Sequence, residues 1–300
     1  MQSLTHRAAA ASLGVALLLA FVKAGAGLAT GSLALLASLI DSLADVVASA
    51  ITFVSVRISR RPPDHSHRFG HGKAEGLSAL AQGGLVAGSA VLVVIDSVGR
   101  FVRPEPVERP LVGILAMALA IVVTLGLVAY QRRVVARTGS LAIAADSLHY
   151  RADLLTNLAV GLSLFLAWGP GWDWADPLVA AVVACWLALH AYGIARHAVD
   201  QLMDREAPAE RRAEIEGIVA AHPEVAGVHD LRTRMAGCRI FIEMHVELPR
   251  QMSVQDAHAV TERIEAELMT AFRDAEVMIH QEPEGIEDVR LDHRIEGQGA

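Results

Sequence analysis

The segment 33–56, LALLASLIDSLADVVASAITFVSV, is apolar over slightly more than the ~20 residues that a helix needs to cross a bilayer. It nevertheless contains two carboxylates, Asp41 and Asp45. An ionisable side chain at bilayer depth costs about 3 kcal/mol on insertion scales, so such residues are rare unless they serve a function. Because the two aspartates are four residues apart, a helix would place both on one face. The segment therefore predicts a membrane helix with a functional acidic face.

A second apolar segment repeats this spacing with a different ligand type. Residues 141–168, LAIAADSLHYRADLLTNLAVGLSLFLAW, contain a histidine and an aspartate that are again four positions apart. Two such helices face to face would offer three carboxylates and one imidazole. This set suits a borderline divalent cation such as zinc, which binds nitrogen and oxygen ligands in tetrahedral geometry. Together the segments predict a transport site formed by Asp41, Asp45, His149 and Asp153.

The composition indicates a membrane protein with an additional soluble part. The chain has 300 residues, 53% of them hydrophobic, and its mean hydropathy is +0.39. Six apolar stretches each approach the length of one membrane span, at roughly 8–29, 33–56, 76–99, 110–130, 140–168 and 175–198. The first resembles a signal peptide, but its apolar run is long and leads directly into the next apolar helix, which favours a retained span. We therefore predict six transmembrane helices.

The charge is divided unevenly along the chain. The net charge is −7, but residues 208–300 contain 19 acidic and 10 basic residues. We predict a transmembrane domain at 1–207, a soluble domain at 208–284 and a loose polar tail at 285–300. The acidic soluble domain lacks the basic footprint of a nucleic-acid-binding protein. The two cysteines of the chain give no disulfide framework.

The soluble part predicts a small mixed domain. Helical character from about 208 to 222 is followed by VAGVHDLRTRMAG (225–237) and CRIFIEMHVELP (238–249), which alternate in the manner of strands. Ser253 is the predicted N-cap of a second helix, and EVMIHQEP (276–283) is predicted to form a third strand. The order α-β-β-α-β predicts an α+β layer with the helices on one face of a three-stranded sheet.

Orientation follows from Lys and Arg in the short loops, which concentrate on the cytoplasmic side. The basic residues between spans two and three and between spans four and five are Arg57, Arg60, Arg61, Arg68, Lys73, Arg132, Arg133 and Arg137. The loop 100–109 is a partial exception, because three arginines there are accompanied by two glutamates. The balance predicts that both termini lie in the cytoplasm.

Six motifs give this pattern a family resemblance: GSLALLASLIDSLADV, HRFGHGKAEGLSALAQ, ADSLHYRADLLTN, QLMDRE, GVHDLRTRMAG and VMIHQEP. In this order and spacing, the chain resembles the cation diffusion facilitator family, most closely its bacterial branch that exports zinc or ferrous iron. The resemblance runs from about Leu13 to Pro283. It implies an α-helical membrane domain of six transmembrane helices, a cytoplasmic metallochaperone-like α+β domain, a homodimer, and the inner membrane of a bacterial cell.

The resemblance also implies roles for individual residues. The family's central transport site, whose imidazole is associated with zinc and cadmium, corresponds to Asp41, Asp45, His149 and Asp153. A second, loop-borne metal site corresponds to Asp64, His67 and His71. A cytoplasmic binuclear site corresponds to His229, His245, His258, His280 and Glu282, the last standing where close relatives carry the shorter Asp. A charge interlock at the membrane boundary corresponds to Lys73 and Asp204.

The expected function is therefore a divalent cation:proton antiporter in the lipid bilayer that exports zinc from the cytoplasm, with cadmium and Fe²⁺ as further candidates. Metal ligands must be deprotonated to bind, so metal and protons compete for the same groups. Two other classes of protein would also place such residues in membrane helices. A membrane-anchored metal sensor would bind metal without transport. An intramembrane metalloprotease would be an enzyme. The sequence contains no HExxH motif, so we do not expect this protein to be an enzyme.

Overall fold

The computed structural model describes residues 2–30, 33–102, 111–168, 175–272, 274–286, 290, 291 and 295. The chain divides into two compact units, Met1–Val199 and Asp200–Ala300. The six predicted membrane segments are all helices: α1 (Gln2–Thr30), α2 (Leu33–Ser59), α3 (Ala74–Val102), α4 (Leu111–Thr138), α5 (Leu141–Trp168) and α6 (Ala175–Leu202). The acidic face predicted from 33–56 thus lies in α2, and the histidine segment forms α5.

Five of these helices, α1 to α4 and α6, contain described stretches of 18 to 23 residues that are long and apolar enough to cross a membrane. The remaining helix, α5, has 28 residues, and many side chains of its C-terminal half lie outside the described part of the chain. The loop that gave the partial exception to the charge rule also falls mostly outside it, at 103–110.

Small residues bring the membrane helices close together. A Cβ added at Gly83 of α3 would lie 3.4 Å from the Ala191 carbonyl oxygen and 3.5 Å from the Ala195 Cβ, both on α6. A second contact of α3, α5 and α6 is formed by Ala79, Ala145 and Ala198. Helices in a bilayer associate largely through such close backbone approach, because lipid gives little hydrophobic drive for association. The packing of α3 and α6 therefore depends on the absence of larger side chains.

The second unit has the predicted order α-β-β-α-β. Its elements are α7 (Ala209–Ala220), β1 (Gly227–Ala236), β2 (Arg239–Leu248), α8 (Val254–Ala271) and β3 (Glu276–Pro283). The sheet order is β1-β2-β3, with β1 antiparallel and β3 parallel to β2. The register of β1 shifts between His229 and Arg232, and Asp230 at this bulge has a φ of 52°. Such a bulge bends a strand locally and redirects the side chains beside it.

One face of the sheet forms the core of this unit. Side chains alternate along β2, so Ile242, Met244 and Val246 all point to the same face, where they are fully or almost fully buried. They pack against residues of both helices, including Ile215 of α7 and Ile264 of α8. The intervening residues of β2 face the opposite side, which leaves that side free of the helical layer. The second face of the sheet is therefore available for polar chemistry.

Ser253 caps α8 as predicted, since its side chain accepts a hydrogen bond from the backbone N–H of Asp256 at 3.1 Å. Removing an N-cap hydroxyl typically costs about 1 kcal/mol. In Ser253→Ala, we expect the amides of the first turn of α8 to exchange with solvent roughly fivefold faster, measured by hydrogen–deuterium exchange of the intact protein. Thr270→Ala near the other end of α8 is the matched control, and equal exchange in both variants would contradict the cap.

Candidate metal centres

Three groups of side chains in the described residues bring potential metal ligands within 4.8 Å of one another. We call them the α2–α5 cluster (Asp45, His149, Asp153), the loop cluster (Asp64, His67, His71) and the sheet cluster (His229, His245, Glu282). Each was singled out by sequence. The groups differ in burial and in the backbone that holds them.

The α2–α5 cluster joins two membrane helices. The Nε2 atom of His149 lies 3.0 Å from Oδ1 of Asp45 on α2 and 3.8 Å from Oδ2 of Asp153, one turn further along α5. The side chains of His149 and Asp45 are 15% and 21% exposed, so the imidazole and carboxylate are shielded but still reachable. Because the ligands come from two helices, a relative movement of α2 and α5 would change the distance between them.

The fourth predicted ligand of this site, Asp41, belongs to α2 one turn before Asp45, but its side chain lies outside the described part of the structure. The spacing of four residues along a helix remains the reason to expect it on the same face as Asp45. Its role stays a prediction.

The loop cluster is organised by Asp64. Its Oδ1 accepts hydrogen bonds from the backbone N–H groups of Ser66 and His67, at 2.9 and 2.7 Å. These bonds, led by the one from His67, lower the pKa of the Asp64 carboxyl below its usual value, so it is ionised at neutral pH. Its two oxygens lie 3.3 Å from Nδ1 of His67 and 3.4 Å from Nε2 of His71. This loop is therefore folded around a negative charge that faces two imidazoles.

The sheet cluster is produced by strand register. His229 pairs with His245 across β1 and β2, and His245 pairs with His280 across β2 and β3. The three rings consequently form a row, with centroids 5.2 and 4.7 Å apart. Two residues further along, Glu282 of β3 turns back towards this row. Its carboxylate oxygens lie 2.7 Å from Nδ1 of His245, 3.2 Å from Nε2 of His229 and 3.6 Å from Nε2 of His280.

The donor atoms of the sheet cluster fit a metal ion. Both ring nitrogens of His229 are buried, and within the described residues neither has a hydrogen-bond partner of good geometry. A buried nitrogen without a partner is costly. Imidazole nitrogens and a carboxylate are ordinary ligands of zinc. A cation between His229, His245 and Glu282 would bind the unprotonated ring nitrogen of His229 and so offset part of the cost of burying it.

Comparison with known proteins identifies the family of this chain. The family model described as the cation efflux transmembrane domain matches residues 9–203, and the model for the cytoplasmic domain of cation efflux proteins matches residues 207–284. This chain belongs to the cation efflux family. The predicted resemblance is thereby confirmed, and the two units are the transmembrane and cytoplasmic parts of a cation efflux transporter.

Individual relatives cover nearly the whole chain. The cation-efflux pump FieF of Shewanella oneidensis is 44% identical over 280 residues, which is 93% of this chain and 94% of that protein. The FieF pump of Cronobacter sakazakii is 42% identical over 280 residues, 93% of each chain. Among solved structures, the metal-bound C-terminal domain of the CzcD transporter from Thermotoga maritima is 36% identical, covers 26% of this chain and 93% of its own, and has a TM-score of 0.26.

The cytoplasmic part of this transporter adds a residue that the sequence did not single out. Oε1 of Glu247 lies 3.4 Å from Nδ1 of His229 and accepts a hydrogen bond from Arg290 at 2.6 Å. Glu247 follows His245 by two residues on β2, so strand alternation alone places it on the same face. That alternation was the available signal. Glu247 therefore lies beside the Nδ1 atom of His229, whereas Glu282 lies beside the Nε2 atom.

Two of the predicted cytoplasmic ligands stand apart from the converging group. His280 belongs to the row of rings, but its side chain is 65% exposed. His258 lies on α8, is 67% exposed, and contacts Glu262 on its own helix at 3.4 Å. Among the described residues, neither is part of the set whose ligand atoms lie within 4.8 Å. Their part in a binuclear site stays a prediction.

The predicted charge interlock involves residues of the two different units. Lys73 precedes α3 in the first unit. Asp204 belongs to the second unit, where its Oδ2 lies 3.8 Å from Nη1 of Arg234 and its backbone has a φ of 58°. The pairing of Lys73 with Asp204 remains a prediction.

Proposed function

We propose that this cation efflux transporter exports a divalent cation from the cytoplasm in exchange for protons, with zinc as the principal substrate and cadmium or Fe²⁺ as further candidates. The observation that carries the proposal is the α2–α5 cluster, in which two carboxylates and an imidazole from two membrane helices lie within 4.8 Å. Asp41, one turn before Asp45, would supply a fourth ligand.

The ligand set favours zinc over harder cations. Carboxylate and imidazole together suit zinc and similar borderline metals, whereas an all-oxygen site suits magnesium and calcium. His149 is the only nitrogen ligand of the proposed set, so it would carry the selectivity. Cadmium is softer and Fe²⁺ binds such ligands less tightly than zinc, yet both accept them.

Proton coupling follows from the same ligands. Each must be deprotonated to bind the cation, so loading the metal releases protons and releasing the metal allows protons to return. An imidazole is well suited to this exchange near neutral pH, which makes His149 the main proton carrier in our proposal. Asp45 and Asp153 would share this role. Movement of α2 and α5 relative to the other helices would then expose the site alternately to the two sides of the membrane.

The cytoplasmic sheet cluster would bind a regulatory metal ion. The acidic residues of this part repel one another, and a bound cation would reduce that repulsion and draw two copies of the chain together. We propose a homodimer with both termini in the cytoplasm and an interlock of Lys73 with Asp204 near the membrane boundary. The basic loops on one side of the predicted spans support this orientation.

Metal uptake into proteoliposomes tests the coupling. With purified protein and an acidic lumen, we expect zinc entry to be driven above its equilibrium level as protons leave, and to fall to passive exchange when an ionophore collapses the gradient. Cadmium, Fe²⁺, manganese and cobalt should be compared under the same gradient. Zinc flux that ignores the gradient would overturn antiport but not transport. Absence of flux for every metal, with metal still bound, would favour the membrane-anchored sensor instead.

A further inference from the structure

A buried polar network lies beside the α2–α5 cluster and is not explained by metal binding alone. Its centre is Asp146 of α5, whose side chain is fully buried. Oδ2 of Asp146 accepts a hydrogen bond from Gln131 of α4 at 2.6 Å, and Oδ1 accepts one from Gln82 of α3 at 3.4 Å. Gln131 and Gln82 are themselves 0% and 1% exposed. The carboxylate of Asp146 therefore links three membrane helices.

Gln82 extends the network to α2. The Nε2 atom that faces Asp146 carries two hydrogens, which it shares with the carbonyl oxygen of Ala48, at 3.1 Å, and the hydroxyl of Thr52 as well. Thr52 is fully buried. Asp45 precedes Ala48 by three residues on the same helix. The side-chain amide of Gln82 thus binds α2 about one helical turn from Asp45, the proposed metal ligand on that helix.

Tyr150 makes a second connection from α5. Its hydroxyl lies 2.8 Å from Oγ of Ser49 on α2 and donates to the carbonyl oxygen of Ser12 on α1 at 3.1 Å. Ser12 and Ser49 also contact each other through their hydroxyls, at 3.0 Å. With these bonds, the network includes polar groups from five helices, α1 to α5. On α5 it flanks His149, since Asp146 precedes this residue by three positions and Tyr150 follows it directly.

The burial of these groups makes their arrangement specific. A buried carboxylate, amide or hydroxyl that lost its partner when the helices shifted would carry the full cost of an unsatisfied polar group. Lipid offers no replacement partners. A rotation of α5 that moved His149 away from Asp45 would also separate Asp146 from Gln131. The position of the ligands and the integrity of the network are therefore coupled.

We propose that Asp146 is a positioning residue for metal binding, which acts through Gln131 and Gln82 to hold α5 against α2, α3 and α4 so that His149 meets Asp45. The inference rests on the proposed function of the α2–α5 cluster. Pre-organised ligands bind a metal more tightly because less ordering is needed on binding. Loss of Asp146 should therefore weaken the apparent affinity for the cation in the folded protein.

The test measures zinc flux against zinc concentration for the full-length protein in proteoliposomes, with folded protein quantified by gel filtration. Asp146→Ala should raise the half-saturating zinc concentration by roughly tenfold to a hundredfold, the range found for groups that orient metal ligands. Asp146→Asn retains an oxygen that can accept the Gln131 hydrogen bond and should show a smaller rise. Gln131→Leu should shift the same parameter, and the double variant Asp146→Ala with Gln131→Leu should be no worse than Asp146→Ala alone.

Controls separate this role from general stability. Thr138→Val on α4 removes a buried hydroxyl that donates to the carbonyl of Val134 and accepts from the backbone N–H of Ser140, and that bonds to none of the network residues named above. Its half-saturating concentration should not change. An unchanged value in Asp146→Ala, with only the yield of folded protein reduced, would overturn the proposal. So would additive effects in the double variant, an Asn variant as impaired as the Ala variant, or an equal rise in Thr138→Val. If Asp146→Ala does not fold, the half-saturating zinc concentrations of Asp146→Asn and Gln131→Leu provide the test. Normal values in both would overturn the proposal.

Failure of this proposal differs from failure of the proposed function. Asp45→Ala serves as the reference variant in the same assay. If Asp45→Ala retains normal flux, the α2–α5 cluster is not the transport site and both proposals fall. If Asp45→Ala loses flux while Asp146→Ala keeps the normal zinc dependence, only the positioning role is overturned.

Discussion

Replacing Asp45 with alanine should reduce zinc flux by about a hundredfold or more, to near the rate of vesicles without protein, because even groups that only orient metal ligands contribute up to that amount. Asp45 of α2 supplies the carboxylate that lies 3.0 Å from His149. Of the two ligands proposed on α2, it is the one whose side chain the structure describes. Without it, the cation would keep His149 and Asp153, both on α5, and α2 would offer only the proposed ligand Asp41. The metal would then join the two helices through one fewer carboxylate.

The measurement is initial zinc uptake into proteoliposomes with an acidic lumen. Leu43→Ala is a suitable control, since Leu43 lies on the same helix two residues away and its side chain is 52% exposed on the outside of the unit. It should transport zinc normally. If Asp45→Ala retained flux comparable with that of Leu43→Ala, the cation would have to pass by another route.

A second large effect is expected in the cytoplasmic part. Removing both His229 and His245 should abolish tight metal binding there, because it leaves Glu282 with neither of its two nearest imidazoles. Transport should persist, but the zinc concentration needed to activate it should rise about tenfold or more, as expected when metal ligands are lost. Equilibrium dialysis of zinc against the full-length protein, in an Asp45→Ala background that removes the membrane site, measures the binding directly.

His258→Ala provides the matched control for this prediction. Its imidazole is exposed on α8 and contacts Glu262, so its removal should weaken zinc binding much less than loss of His229 and His245. A loss of equal size would mean that His258 joins the sheet cluster when metal binds, as the binuclear site of the family implies. An unchanged zinc dependence of flux in the double variant would contradict a regulatory role for this cluster.

The sequence predicted the elements well because the relevant signals are local. Apolar runs of membrane length predicted α1 to α6, and strand alternation with the Ser253 cap predicted the order of the cytoplasmic part. Spacing of four residues paired His149 with Asp153 on one helical face. These inferences needed only the periodicity of a single helix or strand.

Contacts between elements could not be obtained in this way. The approach of Gln82 and Gln131 to Asp146 depends on how three helices are rotated about their own axes. A membrane helix is apolar on most sides, so its sequence pattern does not specify that rotation. The row formed by His229, His245 and His280 depends on the register of two strand pairs, one of them parallel. Glu247 illustrates the intermediate case, because alternation places it on the correct face but only the register brings it to His229.

The register of β3 gives metal binding a consequence for folding fidelity. A slip of one residue along β2 would turn every side chain of β3 to the other face. His280 and Glu282 would then enter the apolar layer beneath the sheet, and Val277 and Ile279 would be exposed. A cation held by Glu282 and the imidazoles of β1 and β2, as proposed, would bind only the correctly paired form and would stabilise it by mass action. Metal in the cytoplasm would thereby select the properly assembled edge of the sheet as each new chain folds.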